Sequence, residues 1–365
     1  MNELLTYTEQ LVFTLRKLYR QYGYSQFRMS KFESYDLYAD KKDFLVSDGV
    51  ITFTDTDGAL LALKPDVTLS IIKNYRRDAG CLQKTYYDEH VYRTGNSGQG
   101  YREIMQTGLE CIGPVDRAVI SEVLLLAVKS LSTVSKDFVL DISHMGIPEQ
   151  ILAPLSLTAE QRTAIMRCLE EKNEDALLSL SLDIGDVAMQ QLMALLHTYG
   201  PVEKVIATSS VLNGLPAFEE LKELVKSFSI LGITNRINLD FSIIGSRNYY
   251  NGIIFRGYVA GVPASVLSGG QYNKLMSKMG KPTGGIGFAV YLNELERLAS
   301  HSEGYDCETV LLYNSADAEP AFIAAETMRA DGSAVLMLPE LPQGFTCRTL
   351  YRFRDGRLMK VDRSC

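Results

Sequence analysis

The feature that most constrains this chain is a change of hydrophobic period that later reverses. Up to residue 142 short apolar runs of strand character dominate, such as Ile51-Thr52-Phe53, Ala59-Leu60-Leu61-Ala62-Leu63 and residues 138–142. From about Pro148 to Phe228 the period becomes helical and leucine-dense, with Thr158 ahead of Glu160 as a cap, and from Arg236 the strand pattern returns. A sheet whose strands are written on both sides of a helical block must be assembled around an insertion. The expected fold is α+β, an antiparallel sheet flanked by helices.

The remaining elements fit that layout. Residues 4–22 carry Leu5, Leu11, Val12, Leu15, Leu18 and Tyr19 at helical spacing and end at Gly23. Phe44-Leu45-Val46 is a further strand, and Asp48-Gly49 and Asp57-Gly58 read as hairpin turns. A helix at 67–75 precedes strands at 85–92 and 105–112, which flank the glycine-rich segment 94–100; residues 116–131 are again helical. After the insertion, strands are expected at 236–243, 253–260, 264–267 and 286–291, with helices at 271–278 and up to 298. One domain then covers residues 1–300, with its helical insertion at about 148–230. His301-Ser302-Glu303-Gly304 reads as a linker, and residues 305–365 as a small α/β domain patterned strand–helix–strand–hairpin.

Composition narrows the function. A formal charge of −7 speaks against a broad, sequence-independent grip on nucleic acid, which needs clustered Lys and Arg. The six cysteines (Cys81, Cys111, Cys168, Cys307, Cys347, Cys365) form no C-x-x-C pair and have no His partner at ligand spacing, so no metal site is expected; no cofactor is expected either. No apolar stretch is long enough for a membrane span and no signal-peptide pattern opens the chain; a cytoplasmic protein with reduced thiols is the expectation. Gly284-Gly285-Ile286-Gly287 lacks the context of a dinucleotide fingerprint, residues 95–100 are no P-loop, and His90 and His144 read as structural.

Four stretches place polar residues where a sheet's inner face should be apolar: Leu63 to Thr68, Tyr92-Arg93 leading to Gln106, Gly108-Leu109-Glu110, and Asn248 to Gly252. On a strand Gln106, Gly108 and Glu110 share a face, so an amide and a carboxylate flank a glycine that leaves room for a ligand. Asp66 and Glu110 suit an ammonium or ring N–H, and Arg93 suits a carboxylate or phosphate. Each has a plainer reading. Asp66 after Pro65 is an ordinary helix cap, Arg93 and Glu110 could pair across strands, and Tyr249-Tyr250 could be packing.

Taken in order, L-K-P-D-V-T, Y-R…G-Y-R-E-I-M-Q-T-G-L-E, N-Y-Y-N-G-I-I-F, S-G-G-Q-Y-N-K-L and G-G-I-G-F-A-V-Y-L resemble the histidyl-tRNA synthetase family of class II synthetases. The resemblance runs from about residue 20 to residue 298 and implies a six- or seven-stranded antiparallel sheet. It also implies a histidine pocket. Asp66 and Gln106 would meet the α-amino group, with Thr68 supporting Asp66. Arg93 is the motif 2 arginine, Glu110 lies on the imidazole side with Tyr249 and Tyr250, and Gly269 and Gly270 leave room for the ring.

The departures fall on the ATP side. Gly95 stands where the active enzymes have an adenine-reading glutamate, and Glu294 where they have the motif 3 arginine. Gly245 replaces a further arginine, with Arg247 two residues away. A charged hydrogen bond is worth ~1.5–3 kcal/mol, so three such losses argue against adenylate formation. The group within the family that fits is the regulatory subunit of ATP phosphoribosyltransferase, in the first step of histidine biosynthesis. That implies no catalytic residues, L-histidine as ligand, a short catalytic subunit as partner, and a homodimer core within a hetero-oligomer. An active synthetase of unusual type, or a paralogue binding another small molecule, are the alternatives.

Overall fold

The computed structural model describes residues 5–39, 49–75, 82–94, 100–180, 184–245, 249–298 and 305–361. The expected strand at 44–46, Asp48, Gly95 with the rest of its loop to 99, Arg247, Asn248 and the linker 301–304 lie outside the described residues. The chain divides into two compact units, Met1–Ala299 and Ser300–Cys365.

In the first unit the helix Tyr7–Gln21 opens on a reciprocal cap between Thr6 and Glu9. Among the described residues twelve strands follow in chain order: β1 (Ser25–Gln26), β2 (Phe32–Ser34), β3 (Thr52–Thr54), β4 (Leu60–Leu63), β5 (Gln83–Thr94), β6 (Tyr101–Gly113), β7 (Phe138–His144), β8 (Tyr199–Pro201), β9 (Ile237–Asp240), β10 (Ile253–Val259), β11 (Leu267–Gln271) and β12 (Gly284–Tyr291). β2, β4 and β3 make a small antiparallel sheet, while the other nine form one sheet in the order β1-β5-β6-β12-β11-β10-β7-β9-β8. From β5 to β7 every ladder is antiparallel. β1 joins β5 and β9 joins β7 in parallel, so the sheet is mixed and wider than the resemblance implied. The added edge strands have two to four residues, too few to print an alternating pattern. One of them, β8, lies inside the stretch read as almost wholly helical.

Alternation along β6 divides the sheet's two faces. Leu109 and Cys111 turn to the larger core, where they meet Leu15 and Tyr19 of the first helix, Val123, Ala127 and Leu131 of the helix Arg117–Val134, and Phe255 and Phe288. The insertion's helices feed that same core through Ile165, Leu169, Leu192, Phe218 and Phe228. Thr158 does cap the helix Ala159–Glu170, but its reciprocal partner is Gln161, the third helical residue. A smaller cluster, with Val67, Leu69, Ile72, Tyr87, Tyr249, Tyr272 and Met276, is the second apolar body of this unit.

β11 starts three residues later than the sequence pattern places it and runs through Gly269-Gly270. Two glycines carry no strand signal, yet their ladder to Phe288 and Gly287 is continuous.

The second unit pairs β13 (Cys307–Tyr313) in parallel with β14 (Val335–Leu338) and β15 (Cys347–Arg354), and β16 (Arg357–Val361) folds back on β15. Asp355 and Gly356, both at positive φ, form the two-residue turn. The helix Ala318–Ala330 covers one face through Ala321 and Ala325, against Leu311 and Phe353. Among the described residues, no helix is long and apolar enough to cross a membrane, and no group of three His, Cys, Asp or Glu side chains could hold a metal ion.

Candidate functional site

Register across the central strands lays out the site. Glu110 on β6 is opposite Gly287, which is opposite Gly270 and then Ile254. One step of the pleat away runs the row Gly108, Ala289, Ser268 and Arg256, and beyond it Gln106 faces Tyr291. Because alternate residues share a face, these rows floor one cavity. Its middle is glycine, alanine and serine; its polar groups stand at the two sides. The cavity holds about 370 Å³ and is walled further by Asp66, Thr68, Tyr87, Arg93, Gly245, Tyr249, Tyr250, Gly269 and Tyr272. That is in the range of small-molecule sites.

Of the nine residues singled out from sequence, eight line this cavity, and Gly270, covered by the Tyr250 ring, does not. Asp66 plays both of its parts: its Oδ1 accepts the Leu69 N–H at 2.9 Å and so caps the helix Thr68–Asn74, and it lines the cavity as well. Burial pushes its carboxyl above the usual range, against the pull of the Arg93 guanidinium. Arg93 is buried and donates from Nε to the Pro65 carbonyl at 2.8 Å, so it is no solvated partner of Glu110. The turn 64–66 is itself pinned, because the buried Lys64 ammonium pairs with Glu89 and its carbonyl accepts the Tyr92 N–H.

Thr68 supports Asp66 through its backbone N–H, and its hydroxyl is directed elsewhere. It donates to Glu110 Oε1 at 2.6 Å, while the Tyr272 hydroxyl donates to Oε2, also at 2.6 Å. Glu110 is buried, and desolvation carries its carboxyl up to about 8 in spite of both bonds, with Asp66 adding to the rise. Gln106 is buried too, and its Oε1 has no hydrogen-bond partner among the described residues. Such a group costs about 1–3 kcal/mol until a donor reaches it.

The glycines correct the sequence reading. A Cβ on Gly108 would meet the Tyr87 hydroxyl at 2.6 Å, so the room left there is taken by a neighbouring ring and not by a ligand. Gly269 faces Phe288 and Phe255, and Gly270 faces the Tyr250 ring at 2.7 Å; both make space for the protein's own aromatics. At Gly287 a Cβ would lie 1.9 Å from Glu110 Oε2, so glycine there admits the carboxylate. Tyr249 and Tyr250 stand 4.6 Å apart, centroid to centroid, at 56°. Glu294 lies in the short helix Leu292–Leu295 and is not among the residues that line the cavity. Gly245 does line it.

Sequence reasoning missed Tyr87, Tyr272, Gly287, Ser268, Arg256, Tyr291 and Glu170. Tyr272 stood in the S-G-G-Q-Y stretch as an unremarked letter, and Gly287 was weighed only as part of a dinucleotide fingerprint. Glu170 ends a helix of the insertion, and nothing local marks it.

Comparison with known proteins agrees with this geometry. The model of the family described as histidyl-tRNA synthetase matches residues 3–295. A protein of Clostridium kluyveri named ATP phosphoribosyltransferase regulatory subunit is 26% identical over 335 residues, 87% of this chain and 85% of that one. Among solved structures, an ATP phosphoribosyltransferase regulatory subunit/histidyl-tRNA synthetase from Bacillus halodurans C superposes with a TM-score of 0.74 at 24% identity, covering 90% of this chain and 88% of that one. A chain of an ATP phosphoribosyl transferase complex from Thermotoga maritima does so with a TM-score of 0.61 at 20% identity, covering 77% and 96%. The two structures share the fold. The family match takes in the whole sheet and every residue that walls the cavity, and on that span the chain belongs to the histidyl-tRNA synthetase family.

Proposed function

We propose that this protein is a non-catalytic regulatory subunit of ATP phosphoribosyltransferase that holds L-histidine in the cavity and is required by a short catalytic subunit. The observation that carries the ligand half is the pairing of Glu110, fixed by two hydrogen bonds, with the unpartnered Gln106 carbonyl oxygen. With Asp66 nearby, this wall gathers two carboxyl groups and an amide oxygen, which suits the ammonium and ring N–H of a small zwitterion. Tyr249, Tyr250 and Tyr272 supply flat apolar walls for an imidazole.

The regulatory half is supported by the name of the Clostridium kluyveri relative and by the composition of the Thermotoga maritima assembly, a transferase complex. The glycine at 245 and the acid at 294, in place of arginines, count against ATP activation. The functional unit in this reading is a homodimer within a hetero-oligomer, and histidine acts only by binding its states with different affinities.

The test is reconstitution. Added to a short catalytic ATP phosphoribosyltransferase, the protein should restore turnover, and L-histidine should lower it. Histidine-dependent exchange of pyrophosphate into ATP by the protein alone would overturn the reading in favour of a synthetase.

A further inference from the structure

Resting on the histidine reading above, we infer that Arg256, on the far side of the cavity floor, binds the carboxylate of the ligand. The charges of the site are unevenly placed. Asp66, Glu110 and the Gln106 oxygen crowd the β6 side, where a carboxylate would be repelled. Arg93, on that side, gives its Nε to the Pro65 carbonyl, and its charge is offset by Asp66.

Arg256 differs. Half-buried on β10, it lines the cavity, and its side chain makes no hydrogen bond or ion pair among the described residues. Its cross-strand neighbour Asp141 forms no ion pair with it among the described residues, and that carboxylate accepts from Asn238 Nδ2 at 3.2 Å. Glu170, the other acid lining the cavity, forms no ion pair with it. Beside it in the ladder, the Ser268 and Tyr291 hydroxyls share a 2.5 Å hydrogen bond, leaving donor and acceptor capacity next to the guanidinium.

The floor between the two sides is Ala289 and Ser268, so nothing bulky separates them. β6 and β10 are three strand spacings apart, about 14 Å. An arginine side chain and a small zwitterion span that distance together. A cation could not enter instead from residue 245. A Cβ there would meet Ile254 Cδ1 at 2.5 Å and Tyr250 Cδ2 at 2.7 Å, so no side chain fits while Tyr250 keeps its place.

The experiment is calorimetric titration of the full chain with L-histidine and with histamine, which keeps the amine and imidazole but lacks the carboxylate. Arg256→Gln should weaken L-histidine by about 10- to 100-fold, the worth of a charge-assisted bond. Histamine affinity should stay within about twofold, which also shows that the variant is folded. Arg256→Lys should recover part of the loss, since it keeps the charge without the fork. Equal weakening of both ligands, or unchanged histidine affinity, would overturn the assignment while leaving the histidine reading standing. If the wild-type chain bound neither ligand, the histidine reading would fall, and this one with it.

Discussion

The two sides of the cavity are built in different ways. On the β6 side almost every polar atom is held before any ligand arrives: Thr68 and Tyr272 clamp Glu110, a backbone N–H fixes Asp66, and Arg93 is tied to the Pro65 carbonyl. The Gln106 Oε1 is left without a partner among the described residues. On the β10 side Arg256 has no partner among the described residues, and the one hydrogen bond beside it joins two hydroxyls. A site fixed on one side and open on the other recognises one end of its ligand by pre-placed groups and lets the ligand organise the other end. Preorganisation confers selectivity where the groups are fixed. It also explains how the glycine at 245 is tolerated: the space an arginine would need there is filled by Tyr250 and Ile254.

The contrast can be broken most severely at Lys64. Its ammonium is buried against Glu89, and Lys64→Met leaves that acid unpaired in the pinned turn. A loss of about 3–5 kcal/mol in denaturant unfolding is expected. A loss below about 1 kcal/mol would mean the turn is not held by this pair.

Next comes Glu110→Gln, which keeps the shape but removes the carboxylate that a bound cation would draw out by displacing the proton of the free site. L-Histidine should bind about 10- to 100-fold more weakly by calorimetry. Equal affinity would remove Glu110 from the recognition of a cationic group.

The same substitution isolates a pH effect. Glu110 binds its proton in the folded protein up to about 8, whereas its unperturbed value is 4.5. Between those values the folded state holds a proton that the unfolded state has released. Ligand-free stability from this group therefore falls as pH rises through that window and levels off above it. The melting temperature of the wild type should drop from pH 5 to pH 8 by more than that of Glu110→Gln. Parallel profiles would contradict the raised carboxyl.

The smallest change belongs on the open side. Ser268→Ala removes one exchangeable hydroxyl contact and should cost about 1 kcal/mol or less in stability. A larger loss would show that this side, too, is rigidly organised.

Much of this was legible in the chain. The strand–helix–strand change of period gave the sheet and its insertion, and the spacing of Gln106 and Glu110 placed both on the cavity face of β6. What the residues could not reveal was which partner each would find. Thr68 and Glu110 are 42 positions apart and Tyr272 and Glu110 are 162 apart, so their bonds arise only when the helix Thr68–Asn74 and the end of β11 come together on the sheet. The glycines misled for a related reason. Missing side chains at 108, 269 and 270 look like room for a ligand until Tyr87, Phe288 and Tyr250 are seen to fill it. Arg256 was invisible because an arginine within an apolar strand has no local signature of its direction. The two- to four-residue edge strands were too short to register at all.

The most direct test of the account is the crystal structure of the protein grown with L-histidine. The account predicts one ligand per chain in this cavity, with a ligand nitrogen within hydrogen-bonding distance of Gln106 Oε1 and another at Glu110 or Asp66, and the ring among the tyrosines. Histidine bound elsewhere on the chain, with this cavity holding only solvent, would contradict it.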